Sequence, residues 1–405
     1  MIIDRKKFIK YLTVSLLGIQ SSGFGRLFSR SDDNAPMEFG WTTCLTYETG
    51  NRRLSFEYYN HLLEEMNANG MTRLIVMMAS HGYFDPQNHG LAWPVKNKKL
   101  IYQLDKNAVN AYEESEFFSK VITRAKKLNI KIQIEIKYLG MIGIEEGYPG
   151  VEFLRTKEGN IIHTIRPEAS DYERRAIESL HICCDSPQAH LYMRDKITDV
   201  LTRYKNLDGI VLEHPSYSGD NTCYCKWSRE RVKKDTGKNI EDLSASELRE
   251  WKSLRIKERL IDLKRLIKSI NPKFEFGFYT GFSPSDGNIA SFQQNRGHQT
   301  ETIKEVGLDF VMPYCEGRHK EHETEEIEKV INYLAPLDFY LHTTIRRDSP
   351  HNYKLPPKGP DYIKNIIRWG LQYRNQNSRF KGMMFFNEVK IPQENRDAVY
   401  QFIKD

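Results

Sequence analysis

The sequence predicts a single (β/α)8 TIM barrel, and three observations lead there. From residue 38 onward, short runs rich in β-branched and aromatic residues alternate with long amphipathic stretches. There are eight such runs, each mostly continuous in apolar character, as parallel strands covered by helices require. The length, 405 residues, suits one barrel with insertions. A doubly wound open sheet is the alternative, but no Gly-rich phosphate turn follows the first run.

In chain order the predicted strands are Glu38–Leu45, Thr72–Ser80, Lys131–Leu139, Leu207–His214, Lys273–Phe282, Leu308–Glu316, Asp338–Arg346 and Lys381–Val389. Ser55–Asn69 reads as the first helix, stopped by Gly70. Glu116–Asn129 has helical spacing and a basic last turn, and Gln188–Lys205 follows the helix-starting Ser186-Pro187. Ser246–Ile270 is long and ends at Asn271-Pro272. Thr300–Val306, Glu323–Leu334, Asp361–Asn377 and Asn395–Lys404 complete the set. The loops after strands two, three and four are long (81–115, 140–187 and 215–245), and barrel enzymes keep their sites on that rim.

Composition narrows the class. Hydrophobic residues make up 39% and aromatics 12%, enough for a sizeable core and against disorder. The net charge of +6 belongs almost wholly to residues 1–30, where six bases face the single acid Asp4. The remainder is close to neutral, so nucleic acid is not an expected partner. Residues 1–30 read as an export signal of twin-arginine type, with Lys6 at the second arginine position and a short apolar run, Tyr11–Ile19, behind the basic stretch. Residues 31–405 are then the catalytic barrel, periplasmic or secreted, with no membrane contact once processed. Six cysteines in this length do not make a disulfide framework. Oligomeric state is not legible.

The candidate site is read from the strand ends. Strand one supplies Trp41; strand two leads into His81 and Tyr83; strand three carries Glu135 and Tyr138; strand four ends in Glu213 and His214. Strand five supplies Tyr279, strand six Tyr314 and Glu316, strand seven His342 and Arg346, and strand eight Asn387 and Glu388. Carboxylates among aromatics suit a carbohydrate: sugar C–H faces stack on rings, and glycoside cleavage needs an acid and a second carboxylate. Glu213, Glu316 and Glu388 are the catalytic candidates; the others, Glu135 included, are substrate-binding candidates. No P-loop, dinucleotide fingerprint, nucleophile elbow or catalytic-metal motif is present, and no cofactor is expected.

The segment from Leu207 to Leu243, with Asp208-Gly209-Ile210-Val211-Leu212-Glu213 and then Cys223-Tyr224-Cys225, resembles the family 42 β-galactosidases and related barrels of the glycoside hydrolase A clan. The resemblance implies glycosidase activity, with Glu213 as general acid/base. It also implies a structural zinc, here at Cys223 and Cys225 with Cys183 or Cys184, although Ser228 stands where that pattern has its last cysteine; a disulfide between the two loops and free buried thiols stay open. Two further positions depart: Leu212 replaces the clan's Asn, and strand seven carries none of the clan's nucleophilic Glu. The partner carboxylate of Glu213 is therefore expected from strand six, Glu316, across the shorter chord, and next from Glu388; Glu213 as nucleophile stays open. The leading expectation is an exported glycoside hydrolase acting on an oligo- or polysaccharide. The alternatives are an inactive carbohydrate-binding barrel and a sugar-acid lyase or isomerase.

Overall fold

The computed structural model describes residues 36–44, 55–80, 90–104, 116–138, 144–162, 181–213, 216–217, 221–281, 296–315, 323–345, 358–386, 388 and 391–404. Residues 37–405 form one compact unit. The barrel strands are β1 (Glu38–Cys44), β2 (Arg73–Ser80), β3 (Lys131–Lys137), β4 (Gly209–Glu213), β5 (Glu275–Gly281), β6 (Phe310–Cys315), β7 (Phe339–Thr344) and β8 (Phe380–Phe386). Each pairs in parallel with its neighbours in chain order, and β1 pairs with both β2 and β8, which closes the sheet. A two-residue segment, Gly90–Leu91, adds an antiparallel extension to β2 that the sequence did not announce.

The helices around it are α1 (Phe56–Ala68), α2 (Phe117–Lys127), the single turn α3 (Ile144–Gly147), α4 (Pro187–Arg203), α5 (Lys226–Thr236), α6 (Ala245–Ile270), α7 (Thr300–Val306), α8 (Glu323–Leu334), α9 (Pro360–Gln376) and α10 (Gln393–Lys404). Their starts follow local chemistry. Ser55 caps α1, and Ser186 caps α4 with Pro187 in the first turn. Ser244 and Glu247 close a capping box on α6. The segment expected as a loop after strand four contains α5, whose polar sequence hides its helical character; its first turn is capped by the Cys225 thiol.

Alternation along the strands splits the core in two. Outward residues join the helices in one large apolar layer, while Ile75, Val211, Tyr279, Phe310, Met312, Tyr340 and Met384 form a separate cluster inside the barrel. Gly277 makes room for this plug: a Cβ there would lie 2.3 Å from the Phe310 ring. Below the plug, at the strands' N-terminal ends, Arg73 is fully buried between Glu38 and Glu275, with its guanidinium over the Tyr340 ring. Lys131 bridges the same two carboxylates at 3.2 and 3.1 Å. Burial pushes both carboxyls up, but Arg73 and Lys131 outweigh it and hold them below the usual carboxylate range.

Removing one member of a buried ionic network leaves its partners uncompensated, at a cost of about 3–5 kcal/mol. Arg73→Met should therefore lower the unfolding free energy by about that amount in urea titrations. A loss below about 1 kcal/mol would mean that Lys131 alone satisfies both carboxylates.

Candidate active site

The C-terminal end of the barrel is built from alternate residues of β3 and β4. Gln133, Glu135 and Lys137 all point inward, and the register sets Lys137 opposite Glu213 and Glu135 opposite Val211. The Lys137 ammonium lies 3.0 Å from the Glu213 carboxylate; the Lys137 side chain is 5% exposed and that of Glu213 is 17% exposed. Glu135 sits one step deeper, and its carboxyl hydrogen-bonds that of Glu213. Burial, then the neighbouring Glu213 charge, push the Glu135 carboxyl well above the usual range, against the pull of Lys137. The protonated form of Glu135 is thereby favoured beside the Glu213 charge.

Opposite the pair, Tyr279 lies against Glu135 and Thr42, and burial followed by the Glu135 charge pushes its phenol upward. Its ring meets His342 edge-on at 4.8 Å, and His342 Nε2 is 3.2 Å from Thr42 Oγ1. Phe386 covers the imidazole, with ring centroids 5.4 Å apart. Four sequence-predicted residues thus meet in one place: Glu213, Glu135, Tyr279 and His342. Lys137 and Thr42 complete the arrangement and were not among the candidates. The signal for Lys137 was present, since polar residues occupy every second position of β3.

Three candidates face the other way. Trp41 points out of the barrel, fully buried against Phe385 and Tyr400, with its indole N–H donating to the Tyr400 hydroxyl at 3.2 Å. Tyr138 belongs to the outer apolar layer, because alternation along β3 turns it away from Glu135 and Lys137. Glu388 is 1% exposed and lies behind the wall: it accepts from Thr43 Oγ1 at 3.1 Å and from the Tyr58 hydroxyl, and pairs with Arg396 of α10. These side chains pack or pair on the helix side of the barrel wall, away from Glu213. The side chain of Tyr314, together with His81, Tyr83, His214, Glu316, Arg346 and Asn387, lies outside the described residues.

A second cluster joins the segments that follow β3 and β4. The thiols of Cys183, Cys223 and Cys225 lie within 4.8 Å of one another. Cys183 and Cys225 are in thiol contact at 3.4 Å, and no disulfide links the described cysteines. Ser228 Oγ is 3.4 Å from Cys183 and donates to Asp185 at 2.8 Å. Tetrahedral zinc with bonds of about 2.3 Å spaces its sulfurs by roughly 3.8 Å, so these three thiols fit such an ion. Hydrogen bonding with Cys183 and Cys223 pulls the Cys225 thiol below its ordinary value. Cys184 is buried too but lies outside the cluster.

No family model and no curated protein matches the chain. Solved structures do resemble it. The glycoside hydrolase domain of PgaB (BpsB) from Bordetella bronchiseptica superposes with a TM-score of 0.64 at 12% identity, over 91% of this chain and 99% of that one. A β-galactosidase from the psychrophilic Marinomonas ef1 gives 0.60 at 8% identity, over 91% of this chain and 59% of that one. A β-N-acetylhexosaminidase from Bacteroides fragilis gives 0.55 at 10% identity, over 90% and 66%. At these identities the likeness is one of fold.

The native state favours protonated Glu135, so its contribution to stability is full below the unfolded value of 4.5 and is lost as pH rises through the higher folded value. Glu135→Gln should flatten that decline. In melting curves from pH 4 to 9, the variant's advantage over the unaltered protein should grow with pH. An advantage independent of pH would overturn the assignment.

Proposed function

We propose that this barrel is a glycoside hydrolase acting on a carbohydrate, with the Glu135–Glu213 pair as its proton source. The observation that carries the reading is the geometry at the C-terminal mouth of the barrel: Lys137 lies 3.0 Å from Glu213, and the buried Glu135 sits one inward step below. A general acid needs its proton retained at working pH, and burial beside a second carboxylate retains it. Lys137 offsets the charge that appears on the pair once the proton leaves. Tyr279, Thr42 and His342 present hydroxyl and imidazole groups for sugar hydroxyls. The glycosidases among the structural neighbours support the same class of substrate. Glu316 stays a candidate for a further carboxylate, and the basic-then-apolar residues 1–30 support export to the periplasm or beyond.

The thiol cluster supports a structural zinc held by Cys183, Cys223 and Cys225. It would fasten the two segments together and take no part in bond cleavage, since the reacting carboxyls belong to the barrel interior.

Glu213→Gln should abolish release of reducing ends from a glycan panel while the melting temperature stays within a few degrees. Activity equal to the unaltered protein would overturn the site. Glycan binding by the unaltered protein with no products would favour a barrel that binds without cleaving. For the thiols, plasma emission should find about one zinc per chain. Complete alkylation of native protein that contains no zinc would overturn that assignment.

A further inference from the structure

The thiol cluster offers the sulfurs of Cys183, Cys223 and Cys225, and a structural tetrahedral ion takes a fourth ligand besides. The hydroxyl of Ser228 has the spacing of that fourth ligand. Ser228 is fully buried, and its Oγ lies 3.4 Å from Cys183 Sγ and 3.6 Å from Cys225 Sγ. Tetrahedral bonds of about 2.3 Å to sulfur and about 2.0 Å to oxygen set such a pair about 3.5 Å apart. The hydroxyl proton points away from the sulfurs, since Ser228 Oγ donates to Asp185 Oδ2 at 2.8 Å. Its lone pairs are thereby left to the cluster. Each sulfur in turn accepts a backbone N–H: Cys183 from Asp185 at 3.4 Å, Cys223 from Arg155 at 3.4 Å and Cys225 from Ser228 at 3.5 Å. A donor aimed at every sulfur favours thiolates over thiols.

We propose, resting on the structural-zinc reading above, that Ser228 is the fourth ligand, so that the centre has three thiolates and one hydroxyl, with Asp185 orienting the hydroxyl. Charge explains why an oxygen suits this corner. Zinc with three thiolates carries one negative charge, and a fourth thiolate would make two. A neutral hydroxyl adds no negative charge beside the wholly buried Asp185 carboxylate, whose own charge Arg255 matches at 2.8 Å. Asp185 is held from two sides, because Arg255 Nε donates to Oδ1 and the Tyr217 hydroxyl donates to Oδ2 at 2.9 Å. It cannot turn from Ser228 without losing both contacts. The helix start supplies the rest of the placement: Cys225 caps α5 and Ser228 lies in its first turn, so one turn of backbone presents both ligands. Outer partners that fix a ligand in this way govern how tightly a metal is held.

X-ray absorption at the zinc edge of the full chain should fit three sulfurs at about 2.3 Å and one oxygen at about 2.0 Å. Ser228→Cys should turn that shell into four sulfurs, which would put position 228 on the metal and not merely near it. In competition with a chelator for added zinc, Ser228→Ala should bind at least about 10-fold more weakly than the unaltered protein. This last measurement needs no thiol at position 228 and so survives a Ser228→Cys variant that fails to fold. Four sulfurs in the unaltered protein, or three in folded Ser228→Cys, overturn the inference and leave the zinc reading intact. An unchanged affinity in Ser228→Ala does the same. A chain that binds no added zinc overturns both.

Discussion

Parallel register between β3 and β4 places Lys137 directly across from Glu213 and leaves Glu135 one inward step below. That pairing is the constraint on which the candidate site depends. A slip of one residue would send Glu213 to the helix side and leave Lys137 facing an apolar neighbour. Two carboxyls and an ammonium would then each need water that the barrel interior does not hold. The register is itself fixed from below, where Asp208 accepts from the Ile132 backbone N–H at 2.7 Å and so ties the start of β4 to β3. Local backbone chemistry at the bottom of the barrel thus aims side chains at the top.

The interior has two charged poles and an apolar middle, and they serve opposite ends. At the bottom, Glu38, Arg73, Lys131 and Glu275 satisfy one another, and both carboxyls are held ionised by cations that outnumber no acid. At the mouth, burial first and the neighbouring Glu213 charge second push the Glu135 carboxyl above the usual range, while Lys137 pulls the other way. The same elements, glutamate and a long base, give an ionised lock where charges match and a carboxyl biased toward its protonated form where burial and a second acid outweigh the base.

The sequence made the architecture legible because strand and helix periods differ and the alternation persists through the chain. Ser186-Pro187 and Gly307 marked their helix ends correctly, being local signals that need no tertiary context. The site was legible only in part. Glu213 closes β4 and His342 lies two residues before the end of β7, so both are readily picked out; alternation along β3 points Glu135 inward, but the sequence does not show that Glu213 lies beside it. Trp41, Tyr138 and Glu388 lie on the helix side of the wall, which residue type alone does not reveal. Even-numbered neighbours such as Thr42 face inward on β1, so Trp41 had to face out. Glu388 lies beyond the end of β8, where alternation no longer assigns a side. Its partner Arg396 lies only eight residues on, and nothing short of the folded α10 reveals their meeting.

The plug formed by Phe310, Met312 and their neighbours has a consequence for proton traffic. Ile75, Val211, Met312 and Met384 are fully buried and stack between the two poles. A layer of that kind holds no chain of water molecules, so the salt network below cannot relay protons to the carboxyls above. Exchange between the Glu135–Glu213 pair and solvent has to run through the mouth, the route a substrate would fill. A ligand seated there would seal the pair from bulk water and fix its protonation for as long as it stays, so the proton count at entry sets the proton count for the turnover.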